Sequence, residues 1–390
     1  MIGYEPAVAC TALSLVSCFV YVYVRYPFWH RQPVMHSYFR LLYWFSSTPT
    51  VLEQWPYKHK RYFVPEAKTE DVNDASWTPL AALLKKHWIP SDRLYPTFTP
   101  TLLQQRFVGS EQKSWVSHSE TAFVTSRSTT LHCFNEAPTV SKAYYTDFLV
   151  AEDGDAARRL FHTHQYRVRC LEPDVKTGVW RRDGPGYDGV IPLVRFSSYS
   201  FLLEIPPNAF PLSSGYEVVS IKTHMSLLYD FVALLKEPTY VRTLFGEGAL
   251  LLLCADLGTM LAQIASGEMM IYALRRRAHW LGFYFFRRSR VLYEEVGQGK
   301  DSVACVGTVC NCDSDRVFYL GYMDALRQLI TLYPDIGVLH MDALGPSSMS
   351  VVDRWRRCVK PFATTESAYY GYNFVWSALP LDPKQCWVCV

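Results

Sequence analysis

From residue 78 to the last residue, short β-rich runs and helix-period segments alternate. A chain with that order folds as helices layered on sheet, not as a bundle or an all-β sandwich. A Thr-Pro pair opens an apolar helical pattern over 78–88, β-rich runs follow at 122–124, 130–134 and 144–150, a helix at 156–168, and strands at 190–196 and 200–205. The stretch 206–215, with three prolines, two serines and a glycine, is the best internal boundary. Beyond it the same kind of order returns. Strands are expected at 217–222, 249–254, 269–274, 281–286, 316–320, 337–342, 369–376 and 386–390, and helices at 225–236, 322–333 and near 350–359. Residues 33–76 are aromatic-rich and punctuated by proline without a sustained period, so they read as a covering segment. The result is two mixed α/β halves of similar size, 26–206 and 207–390, fused into one body. No repeat of roughly 20–50 residues appears, which argues against a solenoid or propeller.

Composition supplies the core this order needs. Of 390 residues 49% are apolar, 15% aromatic and 19% charged, which excludes a disordered chain and a small disulfide scaffold. Thirty-nine basic against 36 acidic side chains leave a net charge of +3, too weak for a dedicated nucleic-acid surface, so any basic site is local. Eleven cysteines, an odd number scattered through apolar segments, suit a reducing compartment. Cys305, Cys310 and Cys312 cluster, as do Cys386 and Cys389. Only the second pair has zinc-knuckle spacing, and without a second knuckle no metal is expected.

Residues 7–24 run eighteen positions without a charge, at the lower end of what crosses a bilayer core of about 30 Å. Tyr21, Tyr23, Tyr26, Phe28 and Trp29 crowd the end of this run, with Arg25 and Arg31 among and after them. Glu5 precedes the run and large rings end it, unlike a cleavable signal. The expectation is a single transmembrane helix within an anchor segment 1–25, holding the body on the cytosolic side.

No P-loop, His-Glu-x-x-His or Gly-x-Ser-x-Gly elbow is present. Gly184-Pro-Gly186-Tyr-Asp-Gly189 leads into a strand and opens no helix, so it is a turn. The chain offers instead a strand ending Tyr145-Thr-Asp-Phe-Leu-Val150, an acidic turn with Glu152, Asp153 and Asp155, and a helix that opens with Ala156, Ala157, Arg158 and Arg159. In acyl-CoA-dependent N-acyltransferases a strand of this kind offers backbone N–H groups to the thioester carbonyl, and the next helix N-terminus faces the pyrophosphate.

Separated patches from residue 26 onward resemble one family. Tyr26-Pro-Phe-Trp-His-Arg-Gln-Pro-Val34 is similar to the segment that opens the catalytic domain of N-myristoyltransferases, glycylpeptide N-tetradecanoyltransferases, matching at Phe28, Trp29, Gln32, Pro33 and Val34. Tyr95-Pro-Thr-Phe-Thr-Pro-Thr-Leu-Leu-Gln-Gln105, Lys113-Ser-Trp115, Phe148-Leu149, Arg158-Arg159-Leu160 and Ile191-Pro192 follow in the family's order. Gly282-Phe-Tyr284 and Ser367-Ala-Tyr-Tyr-Gly-Tyr-Asn-Phe374 resemble motifs of its second half, and Lys384 to Val390 ends in a similar apolar pattern.

The resemblance implies two acyl-CoA N-acyltransferase-like halves, 26–206 for acyl-CoA and 207–390 for peptide. It also implies transfer of a myristoyl group from myristoyl-CoA to the N-terminal glycine amine of a peptide or nascent protein, carried out by a monomer. On that basis the Val390 carboxylate acts as general base and the Phe148 and Leu149 amides as oxyanion hole. Phe28, Trp29, Gln32, Val150, Arg158, Arg159 and Leu160 bind acyl-CoA. Tyr284, Tyr369, Tyr370 and a polar residue near His340 or Asp342 bind peptide. An α-amino group titrates near 8 and must lose a proton before it attacks, and desolvation makes a carboxylate a stronger base. The acidic turn at Glu152, Asp153 and Asp155 motivates a second reading, an inactive relative that serves as a membrane-anchored scaffold for acyl-CoA or a lipidated peptide.

Overall fold

A computed structural model describes residues 5–88, 94–107, 113–135, 137–203, 211–293 and 300–390, the side chains of 5–9 excepted. Among these residues fourteen strands form one mixed sheet. In chain order they are β1 (Lys68–Asp71), β2 (Trp115–His118), β3 (Ala122–Phe134), β4 (Thr139–Ala151), β5 (Thr177–Asp183), β6 (Val194–Leu202) and β7 (Tyr216–Ser220). They continue with β8 (Leu250–Cys254), β9 (Met269–Arg276), β10 (His279–Arg288), β11 (Asp301–Cys310), β12 (Ile336–Asp342), β13 (Ala363–Tyr372) and β14 (Cys386–Cys389).

The spatial order is β1-β2-β3-β4-β5-β13-β6-β12-β11-β10-β9-β7. A branch leaves this path where β8 pairs with the far half of β3 and β14 pairs in parallel with β8. β13 lies between β5 and β6, so a strand from late in the chain closes the middle of the sheet. β4 with β5 and β11 with β12 are the other parallel pairs.

The strands are apolar where helices cover them. Helix Gly154–Leu171 lays Leu160, Phe161 and Val168 inward, and helix Asp315–Leu332 turns Phe318, Tyr322, Leu326 and Leu329 into a cluster with Tyr284 and Phe286. Residues at this spacing share one helical face. That second helix corrects the expected strand at 316–320. The run Val317-Phe-Tyr-Leu320 has β-rich composition, but the Ser314 hydroxyl caps the helix by accepting from Val317 N at 3.3 Å, and the apolar face repeats at helical period. Strands β1, β2, β5 and β11 lie where the sequence pattern predicts none. Trp387 fills the branch beside β11, where Gly307 leaves room; a Cβ there would lie 2.8 Å from the indole Nε1.

The expected membrane span falls in helix Glu5–Arg25, with the side chains of residues 7–9 outside the described set. Among the described residues no helix is long and apolar enough to cross a membrane, so a single-pass anchor has no support. All eleven cysteines are free thiols. The Cys310 and Cys312 sulfurs approach to 3.6 Å while Cys305 is buried apart from them in the core. Among the described residues no group of three or more His, Cys, Asp or Glu is placed to hold a metal.

Candidate functional site

The site begins where β4 leaves β5. Parallel pairing runs from Ala143↔Thr177 to Thr146↔Trp180 and stops, so the edge of β4 from Asp147 onward has no partner on that side. On its other side the register with β3 slips between Thr125 and Ser126, leaving Asp147 as an extra residue in a bulge. A cavity of about 570 Å³ opens at this divergence.

Of the residues singled out from the sequence, Phe148, Leu149, His340, Asp342, Tyr369 and Val390 line this cavity. The Phe148 ring is buried in the cluster with Trp77, Phe98 and Phe107, and its amide donates to Thr125 Oγ1 at 3.2 Å. Val390 is 5% exposed at the end of β14.

The opposite wall is a polar ladder across four adjacent strands. Asp342 accepts from Arg181 Nη1 at 2.5 Å and from Ser198 Oγ at 2.7 Å. Arg181 Nε donates to Asp183 at 2.8 Å, and Asp183 also accepts from Ser367 Oγ at 2.6 Å. Net of its own desolvation, the Arg181 guanidinium and the Ser367 hydroxyl hold the Asp183 carboxyl below the usual range. His340 pairs its Nδ1 with Ser200 Oγ at 2.9 Å and its Nε2 with Tyr293 Oη at 3.2 Å. Burial pushes His340 down to about 4, so it is neutral at pH 7. Residues 340 and 342 alternate onto one face of β12, as do 181 and 183 of β5, which is why strand periodicity brings all four to one wall.

The remaining candidates lie outside the cavity lining. Trp29 stacks on Trp180 with ring centres 5.8 Å apart, next to Phe28 in an aromatic cluster. Gln32 Oε1 accepts from His162 Nδ1 at 3.0 Å and from Tyr372 Oη at 3.2 Å, an arrangement that joins the covering segment to the body. Leu160 and Val150 are core residues. Tyr284 is fully buried and donates to Phe318 O at 2.6 Å, and Tyr370 Oη accepts from Tyr187 N at 3.1 Å.

The start of helix Gly154–Leu171 is occupied by its own acid. Asp153 Oδ1 accepts from the amides of Asp155 and Ala156, both at 2.8 Å, and Asp155 faces Arg158 at 3.7 Å. These amides are the donors that an anion would otherwise take at a helix N-terminus. Arg159 is half-buried there.

The same helix carries His162 and His164 into the sheet. His164 sits between the Ser117 and Ser126 hydroxyls at 2.9 Å each, and His162 Nε2 accepts from His59 N at 3.0 Å. Burial lowers His162 to about 4 and His164 to about 3. The unfolded chain, with histidines near 6.5, therefore binds more protons than the folded one between these values. Stability is full above about pH 6.5 and falls as pH drops towards the folded values, by up to about 1.4 kcal/mol per pH unit for each histidine. Urea midpoints measured from pH 7 to pH 4 are expected to decline, and His164→Gln to flatten that decline.

A second feature lies beside the cavity. Arg127 on β3 makes a bidentate pair with Asp147, Nε–Oδ2 at 2.6 Å and Nη2–Oδ1 at 2.8 Å, both side chains 2% exposed. Arg106 follows at 3.8 Å, and Arg287 of β10 completes the group. The one trace of it in the sequence is the pair Arg287-Arg288 closing an otherwise apolar strand.

No family model and no curated protein matches the chain. Among solved structures it superposes on Saccharomyces cerevisiae N-myristoyltransferase with bound myristoyl-CoA, at TM-score 0.64 and 9% identity over 92% of this chain and 90% of that one. A second such structure gives TM-score 0.64 at 10% identity, covering 92% and 94% of the two chains. A third, with myristoyl-CoA and inhibitors, gives 0.65 at 10%, covering 92% and 93%. The chain shares their fold, a mixed α/β body built on one large sheet.

Proposed function

We propose that this protein is an N-acyltransferase that moves a myristoyl group from myristoyl-CoA to the N-terminal glycine amine of a peptide or protein. What supports the reading most is that Phe148, Leu149 and Val390 line one cavity at the divergence of β4 and β5, in a fold shared with N-myristoyltransferases solved with that donor. The thioester carbonyl lies against the freed edge of β4. As the amine adds, charge on the carbonyl oxygen is met by the amides of Phe148, once it leaves Thr125, and Leu149. The Val390 carboxylate takes the amine proton, the C–S bond breaks as the amide forms, and that proton passes to the departing sulfur, so CoA leaves as the thiol with no covalent enzyme intermediate. Residues 26–206 serve the acyl-CoA and 207–390 the acceptor, in a monomer.

The Asp153 cap favours one competing reading, an inactive relative that serves as a scaffold for acyl-CoA or a lipidated peptide, because a carboxylate already holds the amides that would meet a phosphate in a working acyl-CoA site. The test incubates the full chain with myristoyl-CoA and a Gly-initial peptide and reads the product by mass. A mass gain of one myristoyl group, absent when the glycine amine is acetylated, is the expected result. Binding of myristoyl-CoA with no product from any Gly-initial peptide would establish the scaffold.

A further inference from the structure

Two guanidinium groups meet one carboxylate beside the cavity, and a third, Arg287, lines the cavity nearby. Arg127 and Arg106 converge on Asp147. Arg287 is 6% exposed, and its Nε and Nη2 are buried with no hydrogen-bond partner. Glu268, another buried carboxylate of this region, accepts from Arg290 Nε at 3.1 Å through Oε1, while its Oε2 is buried without a hydrogen-bond partner. The remaining arginines of the wall are also committed, Arg181 to Asp342 and Asp183, and Arg288 to Asp301 and Asp335. Arg182 donates to Pro185 O at 2.5 Å and lies over the Tyr187 ring.

Arg287 thus stands near two like charges that share Asp147, and among the described residues its own guanidinium forms no ion pair within 4 Å. Burial first, then Arg127 and Arg106, lower its guanidinium to about 9, which leaves it charged at neutral pH. A buried cation without an acceptor is costly, and an arriving anion removes that cost. Nε and Nη2 form one edge of the guanidinium, the fork that meets the two oxygens of a carboxylate side by side. The same cavity is lined by Phe148, Leu149 and Val390.

We infer that Arg287 is a receptor for a carboxylate carried by the acceptor, so that the amine this protein acylates belongs to an acid. The carboxylate comes from an acidic side chain close to the amine of a Gly-initial peptide, or from the α-carboxylate of a free amino acid. The inference deepens the proposed function and rests on its premise that the cavity receives an amine acceptor.

Binding decides it without turnover. Gly-initial peptides carrying Asp or Asn at position 2, 3 or 4, labelled at the far end, are titrated into the full chain by fluorescence anisotropy, and free glycine is used as a competitor. At one position Asp is expected to bind at least about ten-fold more tightly than Asn, the effect of one charge-assisted bidentate contact. Competition by free glycine, with no positional preference among the peptides, assigns the α-carboxylate source instead. In Arg287→Met the Asp/Asn ratio falls to about one while the Asn peptide binds as before, and Arg287→Lys recovers part of the preference. Equal binding of all peptides without competition by glycine overturns the inference, as does a preference that survives Arg287→Met. It is also overturned if Arg287→Met weakens CoA binding and leaves the peptides unaffected, since the anion is then a CoA phosphate. Acid-selective binding without acyl transfer would sink the proposed function and leave the carboxylate receptor standing.

Discussion

Two glycines added after Val390 lower acyl transfer by about 10³-fold while myristoyl-CoA still binds. General-base catalysis contributes typically 10²–10⁴-fold, and the extension turns the proposed base into an amide that accepts no proton. The environment makes the effect specific. β14 is buried along its length, pairs with β8 from Cys386↔Leu251 to Cys389↔Cys254, and delivers Val390 to the wall that Phe148 and Leu149 also line. A thermal melt separates loss of the base from loss of the strand. With β14 in place the extended protein melts as the parent does, and product formation measured by mass reads the chemistry. Full turnover by the extended, folded protein would place the base elsewhere in the cavity.

Asp147→Ala destabilises the fold by about 3–5 kcal/mol, the range found when one partner of a buried ion pair is removed. Arg127 and Arg106 then lose the carboxylate they share, with Arg287 nearby. Arg127 loses both of its bonds to a side chain as deeply buried as itself. The urea unfolding midpoint at pH 7 measures the loss. Arg25 with Asp188 is the contrast, an ion pair with both side chains more than half exposed. Pairs of that kind contribute about 0–1 kcal/mol, so an unchanged midpoint in Asp147→Ala would mean that water reaches the cluster and screens it.

Alternation of apolar segments carried much of the architecture. Strands around 281–286, 337–342 and 369–376 and the helix at 156–168 emerge from period alone, because each buries a face against neighbours on the sheet. β11 escaped notice because Asp301-Ser-Val-Ala-Cys-Val-Gly-Thr-Val-Cys310 mixes small and polar residues, as suits a strand that takes Trp387 against Gly307. At 316–320 bulky residues imitated a strand, and only the contacts of Phe318 and Tyr322 with the core decide for a helix. The cavity floor is hidden for a different reason. Arg106, Arg127, Asp147 and Arg287 come from elements up to 181 positions apart, and no local pattern marks side chains whose meaning depends on pairing across a sheet. The Tyr145–Val150 strand was legible, whereas Asp147, inside the quoted run, acquires its role only through the bulge.

The insertion of β13 between β5 and β6 has a consequence for the chain as it is made. β6 ends at Leu202 and β13 begins at Ala363, so about 160 residues must be synthesised before the seam can close. At roughly 5–20 residues per second that is on the order of ten seconds. Throughout that interval β5 and β6 present open edges, each a template for pairing with another nascent chain. Yield in a heterologous host should therefore depend on chaperone supply and translation speed more than on the stability of the finished sheet.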